Sequence, residues 1–218
     1  MNKLYLLCIT GMLIITSCKK ENDPAPNPTT ATTTGTVEIE TEQVIEIRTA
    51  FGNMYMWLYK ETPLHRQNFL SLADSGFFDS TTFHRCVNNF VIQGGDPNSK
   101  DTDPANDGFG GPGYTIPAEI KDSIKHIVGA VGAARDNNPE KASNGSQFYI
   151  VLSEAQTRSL NGNYTVFGQI IKGMDVAAMI VKQAKNPSND RPVDDIRMDV
   201  NVLKKTVQEL KDEYNFIP

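Results

Sequence analysis

Phe83-His84-Arg85-Cys86-Val87-Asn88-Asn89-Phe90-Val91-Ile92-Gln93-Gly94-Gly95-Asp96-Pro97 is the stretch on which the reading of the fold turns. Two short runs of aromatic and β-branched residues, Thr81–Cys86 and Phe90–Gln93, flank an asparagine-rich turn and end in Gly-Gly-Asp-Pro. That is the pattern of strand, turn, strand and stop. Working outward, Ile127–Ala133, Gln147–Leu152, Thr165–Ile171 and Ile196–Leu203 have the same character, with glycine- and asparagine-rich loops between them. Upstream, Val44, Ile45 and Ile47, then Met54–Tyr59, read as two strands joined by a turn at Phe51-Gly52-Asn53. Thr62-Pro63 opens a helix, with Thr62 placed to cap and Pro63 suited to the first helical position. Leu64, Phe69, Leu72 and Ala73 form its apolar face, and Gly76 stops it. A second helix is expected over Met174–Lys185, where Val176, Met179, Ile180 and Gln183 recur at helical spacing. Many short strands with two helices predict a mainly β fold, a closed antiparallel barrel rather than βαβ units.

The 218 residues suffice for one domain with a sizeable core. A formal net charge of −5 argues against a nucleic-acid partner, because neutralising phosphates needs a basic surface. His65, His84 and His126 form no metal-ligand spacing, and the cysteines form no metal quartet, so neither metal nor cofactor is expected. His65 reads as a surface residue of the first helix and His84 as packed beside the site. The Asp101–Gly108 segment has acidic residues in alternation. It lacks an oxygen ligand at Ala105 and a distal glutamate, so it reads as a solvated loop rather than a calcium site.

The first residues differ from the rest. Lys3 is followed by an uncharged apolar run from Leu4 to Ile15, too short for a stable spanning helix of about 20 residues but suited to a signal peptide. The run ends Ile15-Thr16-Ser17-Cys18, which resembles the bacterial lipobox. The resemblance implies a leader over residues 1–17 and lipid on Cys18, hence attachment to a membrane of the bacterial envelope with the protein facing the periplasm. Each buried acyl methylene contributes about 0.8 kcal/mol, so multiple acylation anchors firmly. Residues 18–36, with Pro24, Pro26 and Pro28 among threonines, read as a tether. Fully extended, residues 19–36 reach about 60 Å. The folded body is expected over 37–205, with a tail over 206–218. Cys8 falls in the leader, which leaves Cys86 without a partner for an internal disulfide.

Two further segments share the character of the opening one: Asn144-Gly145-Ser146-Gln147-Phe148-Tyr149-Ile150 and Leu160-Asn161-Gly162-Asn163-Tyr164-Thr165-Val166-Phe167-Gly168. In this order the three segments resemble the cyclophilin family, as do Gly110-Gly111-Pro112-Gly113-Tyr114 and Arg191-Pro192-Val193-Asp194-Asp195-Ile196. The resemblance runs from Val44 to Lys204. It implies a closed eight-stranded antiparallel barrel capped by two helices, and peptidyl-prolyl cis/trans isomerase activity on proline-containing polypeptides. It also implies catalytic roles for Arg85 and Gln93. Phe90, Val91, Tyr149 and Leu160 match the apolar pocket for the proline ring. Ala134, Arg135, Gln147 and Tyr164 match other positions along the groove.

The chemistry is compatible with those residue types. The amide before proline prefers trans by only about 0.5–1 kcal/mol, yet a barrier of about 18–20 kcal/mol separates the forms. No bond need break. A guanidinium that bonds the prolyl nitrogen as it becomes pyramidal interacts more strongly with the twisted amide than with the planar one, which is the condition for catalysis. Taken alone, Arg85 would read as a solvated or paired surface arginine, and Phe90 and Tyr149 as plain core aromatics.

The chain departs from the family in ways that matter. Val91 stands where methionine is frequent, Tyr149 where phenylalanine is usual, Arg135 where an asparagine normally holds substrate backbone, and Tyr164 where a pocket histidine is common. Ser159 falls near the position of a tryptophan that helps bind cyclosporin, so weak cyclosporin binding is expected. These departures motivate an alternative reading, a proline-peptide binding module or chaperone with this fold and little catalysis.

Overall fold

The computed structural model describes residues 40–218; the leader, Cys18 and the tether lie outside the described residues. Two long strands begin the fold, β1 (Thr41–Thr49) and β2 (Gly52–Leu58). The turn between them is Ala50-Phe51, one residue earlier than expected, and Gly52 begins β2 at φ +124°. α1 (Pro63–Asp74) follows, then β3 (Thr81–Thr82), β4 (Arg85–Cys86), β5 (Val91–Gly94), β6 (Thr115–Ile116), β7 (Ala130–Ala133), β8 (Ser143–Asn144) and β9 (Phe148–Val151). The chain closes with α2 (Glu154–Thr157), β10 (Val166–Lys172), α3 (Met174–Val181), β11 (Arg197–Thr206) and α4 (Val207–Tyr214).

Nine strands form one antiparallel sheet in the order β3-β11-β1-β2-β10-β7-β9-β5-β4, and β6 pairs with β8 separately. The expected closed eight-stranded barrel with two helices is therefore corrected to a strongly curled half-barrel of nine strands with four helices. The reason lies in the run Thr81–Cys86, which was expected as one strand. It breaks at Phe83-His84, and its two halves pair with opposite ends of the sheet, β3 with β11 and β4 with β5. Phe83 points into the core with no exposure, so the chain crosses the seam between the two edges instead of zipping it.

Inside the curl, Ile45, Ile47, Met54, Met56, Ile92, Phe148 and Ile150 alternate with outward residues along their strands, as a period of two requires. α1 closes one end. Its Phe69 stacks on Phe78 at 4.6 Å and meets Phe148 edge-on at 5.4 Å. Leu64, expected on its apolar face, is instead half exposed, and His65, expected at the surface, is 2% exposed. Thr62 occupies the cap position but its hydroxyl donates to the Tyr59 carbonyl. Glu119, far along the chain, does the capping. Its carboxylate accepts from the backbone N–H of Leu64 (3.0 Å) and His65 (2.9 Å) and from His65 Nδ1 (2.7 Å). That third bond, and Ser143 Oγ on Nε2, explain why a histidine can be buried there.

α3 closes the other end with Val176, Ala177 and Ile180, and stops at Val181, not Lys185. Lys185 turns back instead. Its ammonium donates to the carbonyls of Val181 and Cys86, each at 2.7 Å, and so ends the helix and ties it to β4. α4 has a full capping box at Thr206 and Glu209, and lays Leu210 and Tyr214 on Val44.

Candidate active site

The sheet has a second apolar face. Arg85 on β4 stands opposite Gln93 on β5, Gln93 opposite Tyr149 on β9, and Tyr149 opposite Gly132 on β7. Directly opposed residues share a face, and so does Val91, two residues before Gln93. The register therefore lines up Arg85, Gln93, Val91 and Tyr149 on the outside of the curl, back to back with the core. The loop over 117–126 and the segment over 153–165, which contains α2, flank this face, and Val91, Tyr149, Val151 and Val166 form its own buried cluster.

A cavity of about 130 Å³ opens there. Arg85, Phe90, Val91, Gln93, Ala134, Arg135, Tyr149, Leu160 and Tyr164 line it, so every pocket residue expected from sequence converges on it except Gln147. Gln147 stands one step behind. Its amide nitrogen donates to the carbonyls of Gly108 (3.0 Å) and Gly110 (2.8 Å), and its oxygen accepts from Gln93 at 3.0 Å. Its polar atoms are thus occupied in joining the glycine-rich loop to Gln93.

Arg85 lies with its guanidinium carbon 5.9 Å from the centre of the Phe90 ring. No carboxylate among the described residues pairs with it. A charged group with open donors at the mouth of an apolar slot is available to bond an incoming ligand. Arg135 is differently employed. It lies 4.7 Å over the Tyr164 ring and donates from Nε to the Asn163 carbonyl at 3.0 Å, so two departures from the family pattern brace one another. Ser159 is exposed and places no aromatic ring over the slot.

Several contributors were not foreseen from sequence. His126 is 1% exposed and sits behind Tyr149, its ring 5.9 Å away and nearly parallel at 11°. Its Nε2 is 2.8 Å from the Tyr149 hydroxyl and its Nδ1 is 2.8 Å from Asn161 Oδ1. Asn161 Oδ1 also accepts the backbone N–H of His126 at 2.9 Å, which identifies that atom as the oxygen. Nδ1 therefore carries the proton, and Nε2 accepts from the tyrosine O–H. Burial lowers the His126 pKa against the pull of Asn161, and burial pushes the Tyr149 phenol well up, so both are neutral at physiological pH. Asp96, wholly buried, accepts the backbone N–H of Asn98 (2.9 Å), Gly108 and Gly110 (3.1 Å), and so shapes the glycine-rich loop. Only Asp96 had a local signal, as the residue ending Gly-Gly-Asp. His126 and Asn161 meet Tyr149 through the fold alone.

His84 is packed beside the site, as expected. Burial lowers its pKa, against Asp96 and Asp107, and no hydrogen bond of ordinary geometry reaches either ring nitrogen among the described residues. Cys86 is buried and its thiol is pushed up to about 12 by that burial, so it is no nucleophile. In the Asp101–Gly108 loop, Asp101 accepts from Asp103 N–H and the Asn106 amide, and Asp103 accepts from Ala105 N–H.

Comparison with known proteins points one way. The sequence model of the family described as cyclophilin type peptidyl-prolyl cis-trans isomerase/CLD matches residues 44–202. A peptidyl-prolyl cis-trans isomerase of Arabidopsis thaliana is 36% identical over 158 residues, 71% of this chain and 91% of the relative. The peptidyl-prolyl cis-trans isomerase-like 1 protein of Homo sapiens is 33% identical over 155 residues, 71% of this chain and 88% of the relative. Among solved structures, a cyclophilin-type isomerase of Cryptosporidium parvum, crystallised in the presence of the dipeptide Ala-Pro, superposes with a TM-score of 0.66. It is 29% identical and covers 74% of this chain and 99% of its own.

Proposed function

This chain belongs to the cyclophilin-type peptidyl-prolyl cis-trans isomerases, and on that premise we propose how its residues divide the work and where it does it. Arg85 is the catalytic group. It donates to the prolyl nitrogen as the amide twists and that nitrogen loses its planarity. Phe90, Val91, Tyr149, Leu160 and Tyr164 hold the proline ring in the slot. Gln93 steadies Arg85 from the neighbouring strand, itself held by Gln147. Ala134 and Arg135 run along the rim. The backbone N–H and C=O of Arg135 have no partner among the described residues, so they are available to pair with an extended peptide.

The observation that carries this reading is the convergence of one unpaired guanidinium and one slot walled by Phe90, Val91, Tyr149, Leu160 and Tyr164. A planar amide bound with its proline buried gains a hydrogen bond only on the way to the twisted state, so the interaction favours the transition state over the ground state. An acceleration of about 10⁵-fold corresponds to about 7 kcal/mol off the barrier. Exchange spectroscopy on an Ala-Pro peptide tests it. Catalysed exchange that collapses in Arg85→Ala while peptide binding survives supports the assignment. Binding without catalysis in the unmodified protein would instead favour the binding-module alternative.

The proposed setting is the bacterial envelope, with Cys18 lipidated and the domain facing the periplasm on its proline-rich tether. Its substrates there are exposed X-Pro bonds of unfolded or partly folded envelope proteins. Lys3, the uncharged run to Ile15 and the small residues before Cys18 support this. Acyl labelling and membrane fractionation should both be lost in Cys18→Ala; retention of either would contradict the anchor.

A further inference from the structure

Tyr149 has a hydroxyl that a slot for a proline ring does not need, and three separate segments converge to accommodate it. His126, in the loop before β7, accepts a hydrogen bond from it at 2.8 Å, and Asn161, in the loop after α2, fixes the tautomer that lets His126 do so. On β7, Gly132 leaves the space. A Cβ at that position would lie 2.3 Å from Tyr149 Cζ and 2.4 Å from its oxygen, closer than any side chain tolerates. The hydroxyl is thereby drawn behind the slot. The Tyr149 ring lies nearly parallel to His126, joined end to end through the hydroxyl, and meets Tyr164 edge-on at 6.1 Å, and Tyr164 is covered by Arg135. One wall of the slot thus hangs from a single buried anchor.

We propose that His126 and Asn161 are positioning residues for the isomerase site, which clamp the Tyr149 ring through its hydroxyl so that the slot presents a bare aromatic face to the proline. Neither touches the reacting amide. Released from the clamp, Tyr149 carries an unsatisfied hydroxyl beside an apolar pocket. It regains a partner by turning that hydroxyl toward the slot, where binding of a proline ring strips it of water. The loss is felt by planar and twisted substrate alike, because the ring is gripped in both. It therefore raises KM and leaves kcat in place. The inference rests on the proposed role of Tyr149 in the slot.

Steady-state exchange kinetics on an Ala-Pro peptide, with the purified protein, test it. His126→Leu should raise KM roughly five- to tenfold, the effect of about one buried hydrogen bond, with kcat within about twofold. In a Tyr149→Phe background, the same change at 126 should move KM by less than about twofold, because the hydroxyl it served is gone. An unchanged KM, a matching fall in kcat, or an equal rise in the phenylalanine background would overturn the proposal. A measurement on the unmodified protein covers the case in which His126→Leu does not fold. The Tyr149 hydroxyl proton should exchange slowly with solvent and couple to the His126 ring by NMR, and fast exchange would be contrary. Tyr149→Ala separates this idea from the one beneath it. Unchanged peptide binding there removes the slot reading and this inference together, whereas weakened binding there beside an indifferent His126→Leu removes this inference alone.

Discussion

Acidifying the protein from pH 7.5 to 5.5 should destabilise it through its histidines. All three are enclosed, His65 at 2%, His84 at 6% and His126 at 1% exposure. In each, burial is the largest influence and lowers the pKa. Glu119 pulls the other way on His65, Asp96 and Asp107 on His84, and Asn161 on His126. Unfolded histidines take up protons near pH 6.5. Below that value the unfolded chain binds protons that the folded protein refuses, so stability falls as pH falls. The contribution is complete above the unfolded pKa and is lost as the pH drops from there toward the lowered folded values. One histidine held neutral costs about 1.4 kcal/mol per pH unit well below its unfolded pKa. Two histidines that stayed neutral throughout would together cost at most roughly 2 kcal/mol between pH 6.5 and 5.5, which bounds the share of His65 and His84, and His126 acts in the same direction. That is a large share of a typical domain stability of about 5–15 kcal/mol. Glu119 does not confuse the window. Burial raises its pKa, but the bonds from His65 and Leu64 outweigh that and hold it low, so its own contribution is lost only at more acid pH. Urea titrations followed by the single tryptophan, Trp57, at intervals from pH 8 to 5.5 measure the effect. A midpoint that is flat, or that rises on acidification, would refute the linkage.

Three other outcomes are expected. Glu119→Ala removes the cap of α1 and strands the His65 ring, and should cost about 2–3 kcal/mol; a melting temperature within error of the unmodified protein would mean that another group caps the helix. Asp96→Ala leaves the Gly108 and Gly110 N–H groups without an acceptor, at about 1–3 kcal/mol each, and should speed limited proteolysis within residues 101–110; unchanged cleavage would show the loop held by something else. Cyclosporin should bind weakly, since exposed Ser159 offers no aromatic roof; nanomolar inhibition would contradict that.

The slot was legible only through the resemblance of three segments to the cyclophilin family, since Phe90 and Tyr149 taken alone read as core aromatics, whereas the strand pattern was legible directly. Alternation along β5 and β9 sends Ile92, Phe148 and Ile150 inward and Val91, Gln93 and Tyr149 outward, and alternation is a local property. Closure of the sheet was not legible. It depends on whether Phe83 enters the core or continues the ladder, a choice made by tertiary packing. His65 misled because its spacing on α1 suits a surface residue until Glu119 and Ser143 arrive from 54 and 78 positions away. Thr62 looked like a cap for a related reason, since the competing carboxylate is equally distant in sequence. The Tyr149 anchor was hidden in the same way: His126 and Asn161 have no sequence relationship to Tyr149 that predicts their meeting.

Everything about the mechanism depends on Arg85 acting on a twisted amide rather than merely bordering a pocket. The most direct measurement compares Arg85→Ala and Arg85→Lys with the unmodified protein by exchange spectroscopy and peptide titration on the same Ala-Pro substrate. Arg85→Ala should lower kcat by about a hundredfold or more, an interaction of about 3 kcal/mol made mainly in the transition state, with peptide affinity changed by only about twofold. Arg85→Lys should recover little, since an ammonium lacks the planar array of donors. Full turnover in Arg85→Ala, or loss of affinity without loss of kcat, would contradict that role for Arg85.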